Sequence, residues 1–488
     1  MLVVVLLLAC NGSDDPQNPG PTGTDTDSAV TEPTGATGMG SGDTGASSTL
    51  DLQVTSPAEA PGVLHLVSPS GATDWSVEVT GRDPIQADAE GIVALVGFPQ
   101  GSTVDATVRQ GALEEQLELT VPSHPLMWTV DVVDPARSEV AHGVLGVGLI
   151  GRERIEPEIF VLQGSDGDVL WWHPVDPYWD VSVATPNAER DGFVWLEINS
   201  RRESDEARMV ELSLDGRRHE ISPTPTAHHV GIEPVQGRHT YLSFEVWPDE
   251  PAPGGGTFDP AADRLMTSGP GGKDPQMIYS VADQLLGNAF DYPCEHSADP
   301  QDAYGYDAFV QWTHGNSLVY VPEDDSYLVY LRWIDTLLKV GHDGQQHWVL
   351  SGPYSDFTAP DGSSLWTSHE DSPLWSHGHF TDAWDGGLLM YDNGNHTNAA
   401  RVVEVQYDTS TWTAEVVRSW NPPGSGFHNV LGDARKLPGG NVLVSWTVLG
   451  LMQEFTPDGD LVWEARGEGD LWFNRVRFAA DLDGLIDP

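Results

Sequence analysis

The chain has 488 residues, and 23 Lys+Arg stand against 74 Asp+Glu, a formal net charge of −51. So acidic a chain, with lysine only at Lys273, Lys339 and Lys436, excludes a nucleic-acid ligand, whose affinity comes from Lys and Arg neutralising phosphates. Abundant Gly (52), Pro (36) and Trp (18) point to a turn-rich all-β fold, and no stretch reaches the roughly 18 apolar residues of a membrane-spanning helix.

The chain opens MLVVVLLLACNGSDD. Its segment Leu7-Leu8-Ala9-Cys10 resembles the lipobox of bacterial lipoproteins, in which a short apolar run engages the export machinery and the cysteine carries the lipid. Residues 1–10 are therefore expected to act as a lipoprotein-type signal. The protein would be exported and anchored through Cys10 in the bacterial cell envelope, in the periplasm or at the cell surface, touching membrane only through that lipid. Only the α-amino group precedes Leu2, where an export signal usually carries basic residues. Residues 11–48 are Gly, Thr, Ser, Asp and Pro with almost nothing apolar; such a segment cannot offset chain entropy and reads as a disordered tether. With Cys10 lipidated, Cys294 has no partner within the chain and no disulfide framework forms. The acidity fits two readings, a repulsive surface that keeps an exported protein in solution or adaptation to salty surroundings, which the scarcity of lysine suits.

Residues 49–126 alternate apolar and polar in short runs (LDLQVTS, VLHLVS, WSVEVTG, IVALVG, TVDATVRQ, QLELTV) separated by turn clusters. This spacing predicts a small β-sandwich with no cluster of titratable residues suited to chemistry. From 127 to 488 a hairpin phrase recurs at intervals of about 50–70 residues, a turn glycine or serine followed by a strand. Its turns are Gly167, Gly216, Gly271, Gly344, Ser410 and Gly459. Six strand-rich units predict a six-bladed β-propeller, and the Gly271 unit is the least regular because PDEPAPGGGTFDPAAD interrupts it.

Histidines open several of the repeated strands: His228 and His229 in TAHHVGIEP, His314 in WTHGNSLVY, His377 and His379 in SHGHFTDAW, and His428 in FHNVLGDAR. The innermost strand of each blade lines the axis of a propeller, so equivalent repeat positions converge on one volume. Imidazoles meeting there imply a metal site or acid/base and nucleophilic chemistry. No HxxxH or HExxH spacing supports the metal.

The phrase WTHGNSLVYVPEDDSYLVYLRWIDTLLKVGHDGQQHWVLSG resembles a blade of the bacterial arylsulfate sulfotransferase family, whose members use no nucleotide sulfate donor. FTDAWDGGLLMYDNG followed by AARVVEVQYD, and DARKLPGGNVLVSWTVLGLMQEFTPDGDLVWE, resemble two further blades, and the similarity runs over most of residues 150–480. The resemblance implies a six-bladed propeller beside a small β-sandwich and a ping-pong transfer, without metal or other cofactor, from an aryl sulfate ester to a phenolic acceptor through a sulfohistidine. It implies that His428 is the nucleophile, that His314 is a second active-site histidine, that His379, with His377 as the close alternative, is a third, and that Arg401 binds the sulfate. His228 and His229 resemble a further pocket-facing pair. Arg332 in YLRWID reads as an ordinary strand salt-bridge residue, and Asn316 and Asn393 as turn residues. The alternative is a non-catalytic propeller lipoprotein whose axial pocket binds a glycan, an aromatic ligand or a surface protein.

Overall fold

The computed structural model describes residues 50–124, 128–150, 156–177, 179–182, 184–199, 207–247, 250–251, 257–258, 260–285, 310–367, 372–395, 397–424, 430–469 and 471–487. Cys10, Cys294 and His428 lie outside them. Strand and turn make up nearly all of the described chain, and its α-helices are the short Val281–Leu285 and Leu482–Ile486, so the fold is all-β. The chain divides into two compact units. One runs up to Ser56 and includes Leu64–Ala94 and Thr103–Thr120; the other takes Pro57–Val63, Leu95–Ser102 and Val121 onward.

The first unit is the small β-sandwich. One sheet has the order Gln53–Thr55, Leu64–Val67, Ile92–Leu95, and the other Ile85–Gln86, Trp75–Val79, Thr103–Gln110, Leu113–Thr120. Along Thr103–Gln110, Val104, Ala106 and Val108 are buried while Thr103 and Asp105 are exposed, the period-two alternation that a half-covered sheet demands.

Among the described residues, the second unit holds six sheets of four or five strands in chain order. Their inner strands are Trp472–Ala479, Trp179–Val181 with Thr185–Pro186, Ala227–Val235, Gly315–Val321, Thr381–Trp384 and Asp433–Lys436. From Thr185–Pro186 onward, each inner strand neighbours the next until Asp433–Lys436 meets Trp472–Ala479; Trp179–Val181 then meets Val144–Ile150 of the first sheet, so the ring closes. Closure uses chain exchange at both ends. Trp472–Ala479 pairs with Val144–Ile150 of the first sheet, and Trp128–Asp131 pairs with the outer strand Leu461–Gly467 of the sixth. This is the six-bladed propeller.

All six repeated turns lie in the outer hairpin of a blade. Gly167, Gly216, Gly271, Gly344 and Gly459 have φ between 70° and 89°, where a Cβ is strained; in the Ser410 hairpin the left-handed residue is Trp412. The irregular third blade adds a small ladder, Glu250–Pro251 with Thr257–Phe258, and a parallel strand, Val310–Gln311.

Successive blades bury apolar side chains between them. On Ser326–Leu331, Tyr327, Val329 and Leu331 face the third blade's Leu242, Ala262 and Leu265, whereas Leu328 and Tyr330 face the fifth blade's Leu388, Met390 and Val403. Two buried faces explain the continuous apolar run YLVYL. At about 1.5–3 kcal/mol for each fully buried side chain, this packing outweighs strand propensities, which span about 1 kcal/mol.

Candidate functional site

In an antiparallel hairpin the start of the first strand lies beside the end of the second. Here Gly315 pairs with Leu331, Thr381 with Met390 and Asp433 with Ser445. Residues that precede inner strands therefore meet residues that follow second strands: His314 meets Arg332, His379 meets Asn393. This rule places the site at one mouth of the axis.

The segments entering the inner strands share a backbone signature. His229, His314 and His377 have φ of 56°, 52° and 53°, and Leu431 in the sixth blade has 60°. A non-glycine residue in this left-handed region costs about 1–2 kcal/mol, so three histidines held there mark strain kept by surrounding bonds. His314 O accepts from Arg332 N at 3.1 Å, and Thr313 O from Trp333 N at 3.0 Å. His377 N donates to Asp335 Oδ1 at 2.6 Å, and Gly378 N to Tyr330 Oη at 3.0 Å. The glycines that follow are required by space: a Cβ on Gly315 would lie 2.5 Å from Asp263 Oδ1, and one on Gly378 2.7 Å from Met390 Sδ. The place equivalent to His314 in the sixth blade is thus Leu431. His428, expected from the sequence at that repeat position, lies outside the described residues.

The histidines form one chain of contacts. His228 Nε2 lies 2.9 Å from Asp263 Oδ1, and His228 Nδ1 is 2.8 Å from His229 Nδ1. The His229 and His314 rings are 4.5 Å apart, and Trp333 stands between His314 (5.1 Å) and His377 (5.2 Å). His379 Nδ1 is 2.6 Å from Asn393 Oδ1, while Asn393 Nδ2 donates to Leu431 O at 3.0 Å. Asn316 Nδ2 donates to Gly378 O at 3.0 Å, fixing the link between His377 and His379. So Asn316 and Asn393, read from sequence as turn residues, both position histidines.

Two arginines supply positive charge. Arg332, 3% exposed, opens the short 3-10 turn Arg332–Ile334 with its guanidinium carbon 4.3 Å from the Trp333 ring centre. Arg475, 5% exposed, sits at a bulge in Trp472–Ala479 and donates to Asn316 O at 2.6 Å. Asp433, Ser445 and Thr447 of the sixth blade hold that bulge through Val476 N, Phe473 O and Asn474 O. Burial holds His314 well below the ordinary histidine range, helped by His229, Arg332 and His379. Burial likewise depresses His379, with Arg332 and Arg475 adding to it against the Asn393 hydrogen bond. Both imidazoles are therefore neutral at neutral pH.

Of the residues singled out in the sequence, the structure gathers His228, His229, His314, His377 and His379. Arg401 stands elsewhere: its Nε bonds Asp392 Oδ2 at 2.9 Å and its Nη2 bonds Leu374 O at 3.3 Å. Asp392 in turn accepts from Ser376 N and Gly394 N. Arg401 thus braces the loops carrying His377 and Asn393. Arg332 is no strand residue, and the signal that could have found it is its place directly after a second strand, as with Asn393 and Thr447. Asp263 and Arg475 carry no such local signal. Among the described residues, no three His, Cys, Asp or Glu side chains are gathered as a metal ion needs.

A sequence profile of the Arylsulfotransferase (ASST) family matches residues 149–468, more than half of the chain. The chain belongs to the arylsulfotransferase family. No curated protein matches it. Among solved structures, a protein of unknown function from Bacteroides caccae is 13% identical, covering 69% of this chain and 98% of that one, with a TM-score of 0.39. The periplasmic gluconolactonase PpgL of Pseudomonas aeruginosa is also 13% identical, covering 69% and 99%, with a TM-score of 0.38. Likeness this weak adds nothing to the assignment, which rests on the profile. Membership in the arylsulfotransferase family supports an aryl sulfotransferase activity. The match spans the gathered histidines and Arg332 but ends before Trp472–Ala479, so Arg475 lies beyond it.

Proposed function

We propose that this arylsulfotransferase takes the sulfuryl group from an aryl sulfate ester and passes it to a phenol by a ping-pong route through a sulfohistidine. The observation that carries the reading is the setting of His379. Asn393 donates its amide to Leu431 O, so its oxygen faces His379, and an amide oxygen only accepts. His379 Nδ1 therefore holds the proton and Nε2 the lone pair. A neutral, oriented imidazole beside two buried arginines suits nucleophilic attack on an anionic ester. In the first half-reaction His379 Nε2 bonds sulfur, the sulfur–aryl oxygen bond breaks, and the electron pair leaves on the phenol oxygen. In flight the group spreads charge over three equatorial oxygens, as a phosphoryl group does, so the protein contributes positioning and positive charge. We give that task to Arg332 and Arg475 in place of Arg401, whose charge is committed to Asp392. Trp333 offers an aromatic face for the aryl ring.

The test is release of a coloured phenol from its sulfate ester, with and without an added phenol acceptor, followed by peptide mass analysis. Acceptor-stimulated release with an added sulfuryl mass on the peptide containing His379 is expected. The same mass on the His428 peptide moves the nucleophile there; no release over a wide donor panel, with the protein folded, leaves a propeller that binds without catalysis. Export and lipid anchoring through Cys10 are proposed on the Leu7–Cys10 segment alone. Metabolic labelling with a fatty-acid analogue checks them, with loss of label expected in Cys10→Ser.

A further inference from the structure

Each inner strand leaves the histidine mouth and runs down the axis, so residues later in it lie deeper in the channel. Arg477 comes two residues after Arg475 on Trp472–Ala479, about 7 Å of extended chain. At that depth the strands enclose a cavity of about 300 Å³. All six blades line it from their inner strands, through Thr185, Val230, Leu318, Asp382, Arg435 and Arg477. Its volume stands at the lower end of the roughly 300–1,000 Å³ usual for small-molecule sites, which suits one ring and its substituents.

The lining is amphipathic. Phe380 and Phe478 provide aromatic walls beside Val230 and Leu318. Three of the chain's 23 basic residues face the same cavity, Arg435, Lys436 and Arg477, against one carboxylate, Asp382. Asp382 is occupied: its Oδ2 accepts from Lys436 N at 2.9 Å and its Oδ1 from Ala383 N at 3.1 Å. Lys436 is occupied as well, with its Nζ 3.3 Å from Glu404 Oε1 and 3.7 Å from the Trp384 ring centre.

Arg435 has an edge to spare. Its guanidinium carbon lies 3.8 Å from the Phe380 ring centre. Its Nε donates to Val476 O at 3.2 Å and stands 3.4 Å from Asp433 Oδ1. The two terminal nitrogens bond nothing among the described residues, and the side chain is 20% exposed, so a ligand can reach it. A guanidinium laid on a ring and held at Nε presents that open edge as a planar fork, the geometry that grips a carboxylate through two parallel bonds.

We propose that this cavity is a second ligand site, separate from the histidines, and that it takes an aromatic carboxylate. The ring packs against Phe380 and Phe478, the carboxylate accepts from the open edge of Arg435, and Arg477 adds positive charge. Such binding holds whatever reaction the histidines carry out.

The probe is 4-fluorobenzoate, titrated into the full chain and followed by ¹⁹F line broadening, with neutral 4-fluorobenzamide as the comparison. Wild type is expected to bind the carboxylate roughly 10–100-fold more tightly than the amide, as charge-assisted bonds would give. Arg435→Gln should remove that preference, while Arg332→Ala, changed at the histidine mouth, should keep it. Should Arg435→Gln fail to fold, Arg435→Lys is read in its place. It keeps a cation beside Phe380 but loses the fork, and should weaken carboxylate binding about tenfold. Equal affinity for acid and amide in wild type, or no binding of either at millimolar probe, overturns the site. A preference that survives Arg435→Gln, or that Arg332→Ala abolishes, overturns it too, since the anion is then held elsewhere.

Discussion

Two arginines on neighbouring elements illustrate how one residue's surroundings decide its role. Arg332 and Arg401 each stand at the edge of a strand near the histidines, yet Arg401 pairs with Asp392 while Arg332 lies close enough to depress both His314 and His379. Arg332→Ala should lower kcat/KM by about 10²–10³-fold, and Arg332→Lys should restore only part because the planar fork is gone. Arg401→Ala should act less, through slackened loops; steady-state kinetics on one aryl sulfate rank the three variants. The buried imidazoles also make a stability prediction. Their folded pKa values are depressed, so below about pH 6.5 the unfolded chain binds more protons than the folded one and stability falls with pH. Asp392 acts the opposite way: burial pushes it up to about 6, so its contribution is present at low pH and is lost as pH rises through about 6. The melting temperature should therefore fall as pH drops below about 7, and fall less steeply below about 6, where Asp392 partly offsets the histidines. A His314→Gln variant should show a shallower fall.

At the scale of elements, the strained entry to each inner strand sets where its side chain goes. A left-handed histidine followed by glycine recurs at His314-Gly315 and His377-Gly378, and the glycine gives way to Val230 after His229. If strain is stored there, glycine should be tolerated better than alanine at the same position, since both lack the imidazole. His314→Gly is expected to be about 1 kcal/mol more stable than His314→Ala, or more, as read from denaturant unfolding. Equal stability would show that the bonds from Arg332 N and Trp333 N do not hold the strain we assign. Both variants should lose sulfotransfer.

Over the second unit, closure is the feature with the widest reach. Trp472–Ala479 is the last strand of the chain and the inner strand of the first blade, and it brings Arg475 to Asn316. Ending the chain at Gly469 should therefore do two things at once. It exposes the inner edge of Val144–Ile150, a row of unpaired backbone groups prone to association, and it removes one of the two site arginines. Loss of a cooperative thermal transition, with aggregation on light scattering, is the expected result. A truncated chain that unfolds cooperatively at the wild-type temperature would mean that the six blades do not depend on this exchange.

The sequence by itself determined the features that local physics dictates. Turn glycines with positive φ, two-sided apolar strands such as YLVYL and the recurrence of one hairpin were enough for six blades, because each depends on residues close together in the chain. The same locality made His228, His229, His314, His377 and His379 legible, since each stands at the entry to an inner strand. Tertiary structure alone decided which charges meet them. Arg332 comes from a hairpin turn, Asp263 from the third strand of a neighbouring blade and Arg475 from the far end of the chain, and Arg401 is drawn off by Asp392. No periodicity in the sequence encodes these meetings, because they arise only when the ring closes and brings the inner strands around one axis.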